Sequence, residues 1–548
     1  MKQSYLTPLV FAIQAFVLFG ISPFQGDGHH DGIVFAPSVA FSEGLVVQKD
    51  AFSLYGPLNV WLYGSTLKFL PNQVLTLRLV AAFLSLATAW ILYQVLKRTA
   101  IASQAIWVSF TWTTSNAVYM TSFPGSPLPW ASITANLFAL IGLLILMGEY
   151  KETTKNKMWF VSGIFYGISI FARLQFIVLV PIFLFFILFS KNVKFRKSLV
   201  ILSTGFAMGL ISILVILFIQ GALVSYVNQA VIYPITKFPS LGLSTNYNLY
   251  LFTLVLSIPV ISILFLFALR KLLGKFNSLL SVLLLASFLL VLNFLGRWTI
   301  SNLSFPLTPR VIAGEIFEKS GMWLSYSSAL TCLVAIVIYF KNYLSLDKSV
   351  NSKGFAILST GFIGILQLYP YPDVQHLWWA APLLIPSLHF IADRALTSEF
   401  LSLCKATILV GLFFFAYFLQ QPWYEFKNYS LKGVYASQEK VELYEVYLPI
   451  ENYQDSKSYR FDCADGIHSV AKGNYLSTDE WFINVSNIQE ENPLSSNVKA
   501  VFICDKKLSY ARDYASKLGW EISFFNEISN SAGTRSLAIL EPKSRRSS

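Results

Sequence analysis

No glycine-rich phosphate cradle occurs in this chain: neither a P-loop nor a GxGxxG motif is present, which argues against a nucleotide site of either kind. Charge is scarce too. Only 13% of the 548 residues are Asp, Glu, Lys or Arg, against 55% hydrophobic residues and a mean hydropathy of +0.56. That balance excludes an ordinary soluble globular protein. Cysteine appears four times, at Cys332, Cys404, Cys463 and Cys504, with no CxxC or Cys/His metal spacing, so no cysteine-based zinc site is expected. The formal net charge of +12 does not signal nucleic acid, because Lys and Arg fall in short clusters between apolar segments rather than in one basic stripe.

Long hydrophobic runs are what the chain has instead. About thirteen are long enough to cross a bilayer, beginning near Leu6, Thr76, Ile101, Trp130, Met158, Leu174, Ser198, Asn248, Asn277, Met322, Gly354, Leu377 and Phe400. The stretch from Met158 to Ser190 reads either as a hairpin or as one broken segment. The first run, Leu6 to Ile21, lacks an A-x-A-like cleavage site and reads as an uncleaved span. Basic clusters mark alternate junctions, among them Lys97-Arg98, Lys151 to Lys157 and Lys191 to Lys197, and these face the cytoplasm by the positive-inside rule. The first outer loop then covers residues 23–75. An odd span count places everything after Gln421 on the same outer side.

The fold class expected is therefore an α-helical polytopic membrane protein of the plasma (inner) membrane, residues 1–421, followed by a small extracytoplasmic α/β domain, residues 422–548. Strand candidates in that domain are Ser458 to Asp462, Val498 to Cys504, Trp520 to Phe525 and Ser536 to Leu540. A helix over Leu508 to Leu518, closed by Gly519, lies between the second and third. Cys463 and Cys504 each end a strand candidate, which permits a disulfide in an oxidising compartment.

Ionisable residues beside a membrane are costly, and the first outer loop concentrates them in Asp27-Gly28-His29-His30-Asp31. About a dozen residues on comes Glu43-Gly44, then Asp50, then Tyr55-Gly56-Pro57-Leu58 leading back towards the membrane. This succession resembles the C-type (GT-C) membrane glycosyltransferases, which include protein O-mannosyltransferases and lipid A aminoarabinose transferases. It departs from their commonest Asp-Glu pattern by having His-His-Asp. The resemblance implies a sugar taken from a polyprenyl-phosphate carrier and passed, with inversion, to an acceptor hydroxyl on a glycan, lipid or protein at the outer face.

An aspartate of the first outer loop would be the general base, a role that contributes on the order of 10²–10⁴-fold. Spacing from Glu43-Gly44 selects Asp31, with Asp27 as the alternative; an Asp at the start of a helix also suits an N-cap. His29 and His30 are expected to touch phosphate or acceptor. A divalent metal shared with the aspartates is the less favoured reading, because adjacent histidines rarely reach one ion. Asp50 and Tyr55 are candidate acceptor contacts, and Asp50 also reads as a solvated loop acid.

Arg173 interrupts apolar sequence at the outer level, where a lipid phosphate would compensate its charge. In Pro370-Tyr371-Pro372-Asp373-Val374-Gln375-His376, prolines break a helix at the outer interface, making Asp373 and His376 candidate substrate contacts. The Trp378-Trp379 pair that follows is suited to stacking on a sugar ring. Arg310 is a weaker phosphate candidate. Two other readings remain at this point: an O-antigen ligase or polymerase, and a lipid or glycan transporter, which would favour internal repeats and mid-bilayer charges.

Overall fold

Apolar runs separated by turn residues and basic clusters become helices packed side by side. In the computed structural model α1 (Gln3–Ile21) leads into a loop carrying two helices of its own, α2 (Gly28–Ser42) and α3 (Pro57–Leu67). There follow α4 (Val74–Leu96), α5 (Ala105–Tyr119), α6 (Ala131–Leu146), α7 (Glu152–Ser169), α8 (Leu179–Phe189) and α9 (Val193–Ile219), and later α10 (Ser352–Leu366) and α11 (Val374–Ala392). The structure describes residues 3–26, 28–98, 104–119, 128–190, 192–234, 352–367, 374–392, 419–453, 459–463, 466–478 and 498–543, with isolated turns between 404 and 416. The segments expected from Asn248, Asn277 and Met322 lie outside these residues.

Two of the described helices, Val74–Leu96 and Val193–Ile219, are long and apolar enough to cross a membrane, and five apolar helices are shorter, at 10–17 residues. Among the described residues, two of the expected spans are thus helices of full length. The segment from Met158 to Ser190 is two elements: α7 ends at Ser169, the chain turns at Ile170 to Arg173, and a 3-10 turn at Leu174–Val178 opens α8. Large apolar side chains on α8 and α9 point outward, among them Leu188, Phe189, Met208, Phe218 and Ile219, as on a face turned to lipid.

Two GxxxG patterns bring α7 and α9 together. A Cβ at Gly163 or Gly167 would overlap the Leu202 or Phe206 carbonyl, and one at Gly205 or Gly209 would overlap that of Phe160 or Ile164. Small residues at this spacing let helix backbones touch, gaining dispersion contact that larger side chains would prevent. At the far end of the bundle from α2 and α3, the Lys353 ammonium meets Glu149 at 3.1 Å and Arg98 donates to the Leu144 carbonyl.

After Gln421 the chain turns polar and forms short strands, β1 (Tyr424–Glu425) with β2 (Tyr435–Ala436), and a helix α12 (Gln438–Tyr444). Beyond it come β3 (Tyr459–Asp462), the hairpin β4 (Val470–Ala471) and β5 (Asn474–Tyr475), and β6 (Ser477–Thr478). The last elements are β7 (Ala500–Cys504), α13 (Leu508–Leu518), β8 (Trp520–Asn530) and β9 (Gly533–Pro542). The main sheet runs β6-β3-β7-β9-β8, parallel on the β6-β3-β7 side and antiparallel around β9. Alternation along β7 divides its side chains: Val501 and Ile503 pack under α13, while Ala500, Phe502 and Cys504 face the core shared with the helical bundle. Cys463 and Cys504 form a disulfide across β3 and β7.

Candidate functional site

The site is built where α2, α3 and the starts of α6, α8 and α11 meet. Pro57 opens α3 at its first turn, where a missing N–H costs nothing. Gly56 just before it lies so close to the Phe171 carbonyl that a Cβ would overlap it, and Leu58 N donates to that same carbonyl at 3.1 Å. This contact sets Tyr55 against Arg173, whose guanidinium carbon stands 5.4 Å from the phenol ring centroid. Burial pushes the Tyr55 phenol up to about 12 despite the opposing Arg173 charge, so it remains a neutral hydroxyl.

The Tyr55 carbonyl is pinned by Gln48 Nε2 at 3.1 Å and Ser53 Oγ at 2.9 Å. Gln229, on a single π-helical turn at Val227–Ile232, holds that loop in turn: it accepts from Ser53 N at 3.0 Å and donates to the Gln48 carbonyl at 3.1 Å. On the other side Tyr55 meets Trp130 edge to face, with centroids 5.0 Å apart. Asn59 of α3 accepts from Thr134 at 2.6 Å and so ties α3 to α6 beside Trp130.

Trp130 stacks on Trp379 at 4.5 Å and 14°. His30 packs against both indoles, at 5.2 and 6.1 Å, and His376 against Trp379 at 5.2 Å. Four residues singled out in the sequence at widely separated positions, His30, Tyr55, Arg173 and His376, thus fall into one continuous cluster. The two tryptophans of the Trp378-Trp379 pair do not act together. Neighbouring side chains on a helix point about 100° apart, and Trp378 turns to α5, where it stacks on Trp112 at 5.0 Å and the two exchange indole-to-carbonyl hydrogen bonds.

Buried polar atoms without partners gather here, Gln48 Oε1 among the acceptors and three donors besides. Trp130 Nε1, Trp379 Nε1 and Arg173 Nε are buried without a hydrogen-bond partner, and their residues are 3%, 2% and 6% exposed. Among the described residues no carboxylate forms an ion pair with Arg173. An unmatched buried donor costs about 1–3 kcal/mol, more when charged, so three together ask for an acceptor-rich guest.

Asp31 has a different setting. It lies in the first turn of α2, fully buried, and is gripped by Arg78 of α4: Nε to Oδ1 at 2.9 Å and Nη2 to Oδ2 at 2.6 Å. The same guanidinium donates to the carbonyls of Ser22, Phe24 and Gln25, fixing the turn that leads into the acidic cluster. Arg78 escaped notice in the sequence, although an arginine near the start of an otherwise apolar span was a usable signal. Trp130, Gln48 and Gln229 carried no such signal, since their roles arise only from tertiary contact.

Asp50 closes its own loop, its Oδ2 accepting from Val46 N at 2.8 Å at an exposed position outside the aromatic cluster. Glu43 Oε1 accepts from Tyr475 N at 2.7 Å, and Gly44, at φ 90°, ends α2 in the left-handed conformation. The Glu43-Gly44 pair therefore joins α2 to the C-terminal region. Asp27, Arg310, Asp373 and the His29 side chain lie outside the described residues. For a divalent metal, no three His, Cys, Asp or Glu side chains among the described residues are grouped to hold an ion, and Asp31 is engaged by Arg78.

In overall architecture the chain is similar to several solved structures. One is the oligosaccharyltransferase of Archaeoglobus fulgidus, solved with zinc and sulfate: TM-score 0.48, 13% identity, covering 96% of this chain and 73% of that one. The same organism's AglB, with an inhibitory peptide and a dolichol-phosphate, gives 0.48 and 12% over 98% and 74%. ArnT from Cupriavidus metallidurans bound to undecaprenyl phosphate gives 0.43 and 12% over 98% of both chains. No family model matches the chain, and no curated protein matches it.

Proposed function

We propose that the chain is a membrane glycosyltransferase that moves a sugar from a polyprenyl-phosphate carrier to an acceptor hydroxyl at the outer face of the plasma membrane. The observation that carries this reading is the buried Arg173, without a carboxylate partner among the described residues, joined through Tyr55 to two stacked indoles whose N–H groups lack acceptors. A phosphate with its attached sugar supplies both the missing anion and the missing acceptor atoms. Arg173 is suited to receive the phosphate through paired charge-assisted bonds, with His376 and His30 flanking the indole stack.

In the step proposed, the acceptor oxygen forms a bond to the anomeric carbon while the bond from that carbon to the phosphate oxygen breaks, inverting the anomeric configuration. The acceptor proton passes to a carboxylate of the first outer loop, and the carrier phosphate leaves as an anion beside Arg173. Of the two candidate bases, Asp31 has both oxygens engaged by Arg78 and no exposed surface, which favours Asp27 as the proton acceptor. Asp31 then serves to hold Arg78, which in turn binds the carbonyls of Ser22, Phe24 and Gln25 just before Asp27 in the sequence. Asp50, Asp373 and Arg310 remain proposed substrate contacts of the outer loops.

The test uses the purified full chain with a radiolabelled polyprenyl-phosphate sugar and membrane acceptors. Arg173→Ala should weaken donor binding by roughly tenfold or more, whereas Asp27→Asn should abolish transfer and leave donor binding intact. Full transfer by Asp27→Asn returns the base role to Asp31. Failure of the wild-type chain to bind donor favours the transporter reading instead.

A further inference from the structure

The C-terminal region does not merely follow the bundle; one segment of it, Gly466–Tyr475, lies against the helix that opens with the acidic cluster. The 3-10 turn Gly466–Ser469 crosses α2 at Gly32, and the two backbones touch: a Cβ on Gly32 would stand 2.7 Å from the amide nitrogens of Gly466 and Ile467, and one on Gly466 would stand 2.6 Å from the Gly32 carbonyl. Six residues on, the hairpin of β4 and β5 adds two hydrogen bonds. Tyr475 N donates to Glu43 Oε1 at 2.7 Å, at the other end of α2, and Asn72 donates to the Gly473 carbonyl at 2.6 Å, just before α4. The segment therefore grips α2 at both ends and the start of α4, from which Arg78 reaches Asp31.

Its root is fixed twice. Cys463, three residues before the turn, is bonded to Cys504 at the end of β7. Asp505, the next residue, accepts from Tyr447 Oη and from Arg535, and Tyr447 stacks on His468 of the turn at 3.6 Å. A movement of β7 relative to β3 would thus reach Gly466 directly.

We infer that Gly466–Tyr475 is a positioning strap that sets the placement of α2, with Gly466 and Glu43 as positioning residues and the Cys463 to Cys504 disulfide as its anchor. Its catalytic consequence rests on the glycosyl-transfer reading above; its effect on α2 does not. The strap is tested in full-length protein in lipid nanodiscs by hydrogen exchange. Because the disulfide is buried, the double variant Cys463→Ser/Cys504→Ser is used rather than a reductant. Exchange of the α2 amides should rise at least about tenfold, the amount expected from about 1.4 kcal/mol of lost protection, while α6 and α7 stay unchanged. Unchanged α2 exchange in this variant would overturn the inference whether or not the protein transfers sugar.

Kinetics supply the second arm. Gly466→Ala should lower kcat by roughly 10-fold to 10²-fold with the donor KM nearly unchanged, since a displaced catalytic group costs rate rather than binding. Glu43→Gln, which keeps the acceptor for Tyr475 N, should retain the wild-type kcat that Glu43→Ala loses. A raised donor KM at constant kcat in Gly466→Ala, or equal loss in both Glu43 variants, would count against a positioning role. If the wild-type protein transfers nothing while α2 still loosens, the function reading fails and the strap stands.

Discussion

Arg78 makes five hydrogen bonds from one buried guanidinium, two to Asp31 and three to backbone carbonyls of the preceding turn. Arg78→Leu should therefore destabilise the protein by about 3–5 kcal/mol, because it leaves a carboxylate buried without its cation. The double variant Asp31→Leu/Arg78→Leu should recover only part of that loss: removing both charges relieves the ion, but the Ser22, Phe24 and Gln25 carbonyls still lack their donor. Thermal unfolding midpoints in detergent would check both, and full recovery in the double variant would mean the carbonyl contacts are worth nothing. His468 offers a pH test at the same scale. Burial, then the Arg535 charge, hold it well below the ordinary histidine range, with Tyr447, Tyr444 and, through Tyr447, Asp505 as its neighbours. The unfolded chain takes up this proton near pH 6.5 and the folded chain resists it. Stability is thus full above about pH 6.5 and falls below it, by up to about 1.4 kcal/mol per pH unit. Amide protection of residues 466–469 should decline between pH 7.5 and 5.5, and His468→Phe should flatten that decline. Residue types marked His30, Arg173 and His376, because charge or imidazole in apolar sequence is conspicuous, whereas Tyr55 was marked by the motif Tyr55-Gly56-Pro57-Leu58 that carries the resemblance. Trp130 was not legible in this way, since an aromatic at a helix start is ordinary at a membrane interface.

Elements were legible where local rules decide them. The helix at Leu508–Leu518 has the bounds its periodicity implies, and Gly519 closes it at φ 68° as a left-handed cap should. The four strand candidates of the C-terminal region also form, although β8 and β9 extend into a long hairpin that alternation alone did not measure. Packing between elements was less legible. The patterns at Gly163 and Gly167 and at Gly205 and Gly209 stand plainly in the sequence, but which helix meets which follows only from the fold. Since α7 ends just before Arg173, this contact bears on the site. Gly205→Leu should push α9 off the Phe160 carbonyl and lower the unfolding midpoint. Gly56→Ala should act more locally, displacing the Phe171 carbonyl and separating Tyr55 from Arg173. Its expected signature is weakened donor binding, by roughly tenfold, together with a lowered unfolding midpoint. A drop in midpoint with normal donor binding would assign Gly56 to folding alone.

At the scale of the whole molecule, the described parts of the loop between α1 and α4 and of the C-terminal region lie at one end of the bundle. Pro23 and Tyr435 pair through their backbones there, Gly32 touches Gly466 through its backbone, and the Glu43 and Asn72 side chains add the hydrogen bonds already described. Lys97, Lys151 and Lys353 belong to the helix ends at the opposite side. This arrangement agrees with the alternation of basic clusters, and it makes membrane sidedness testable by thiol labelling. Wild-type protein is a quiet background, because Cys463 and Cys504 are bonded, and Cys404 is free but only 4% exposed; Cys332 is replaced by Ser to complete it. Single cysteines are then placed at four exposed positions, Lys49→Cys and Lys472→Cys at one end and Lys97→Cys and Lys151→Cys at the other. In intact cells a membrane-impermeant maleimide should label the first two and spare the last two until the membrane is opened. The pair at residues 49 and 472 is decisive, because nearby Glu43 and Tyr475 are hydrogen bonded across 432 positions, and two segments that meet at one end of the bundle need an even number of crossings between them. Labelling of Lys97→Cys from outside would invert the orientation and with it the outer-face assignment of the site. Labelling of residue 49 without residue 472 would contradict the docking of the strap on α2.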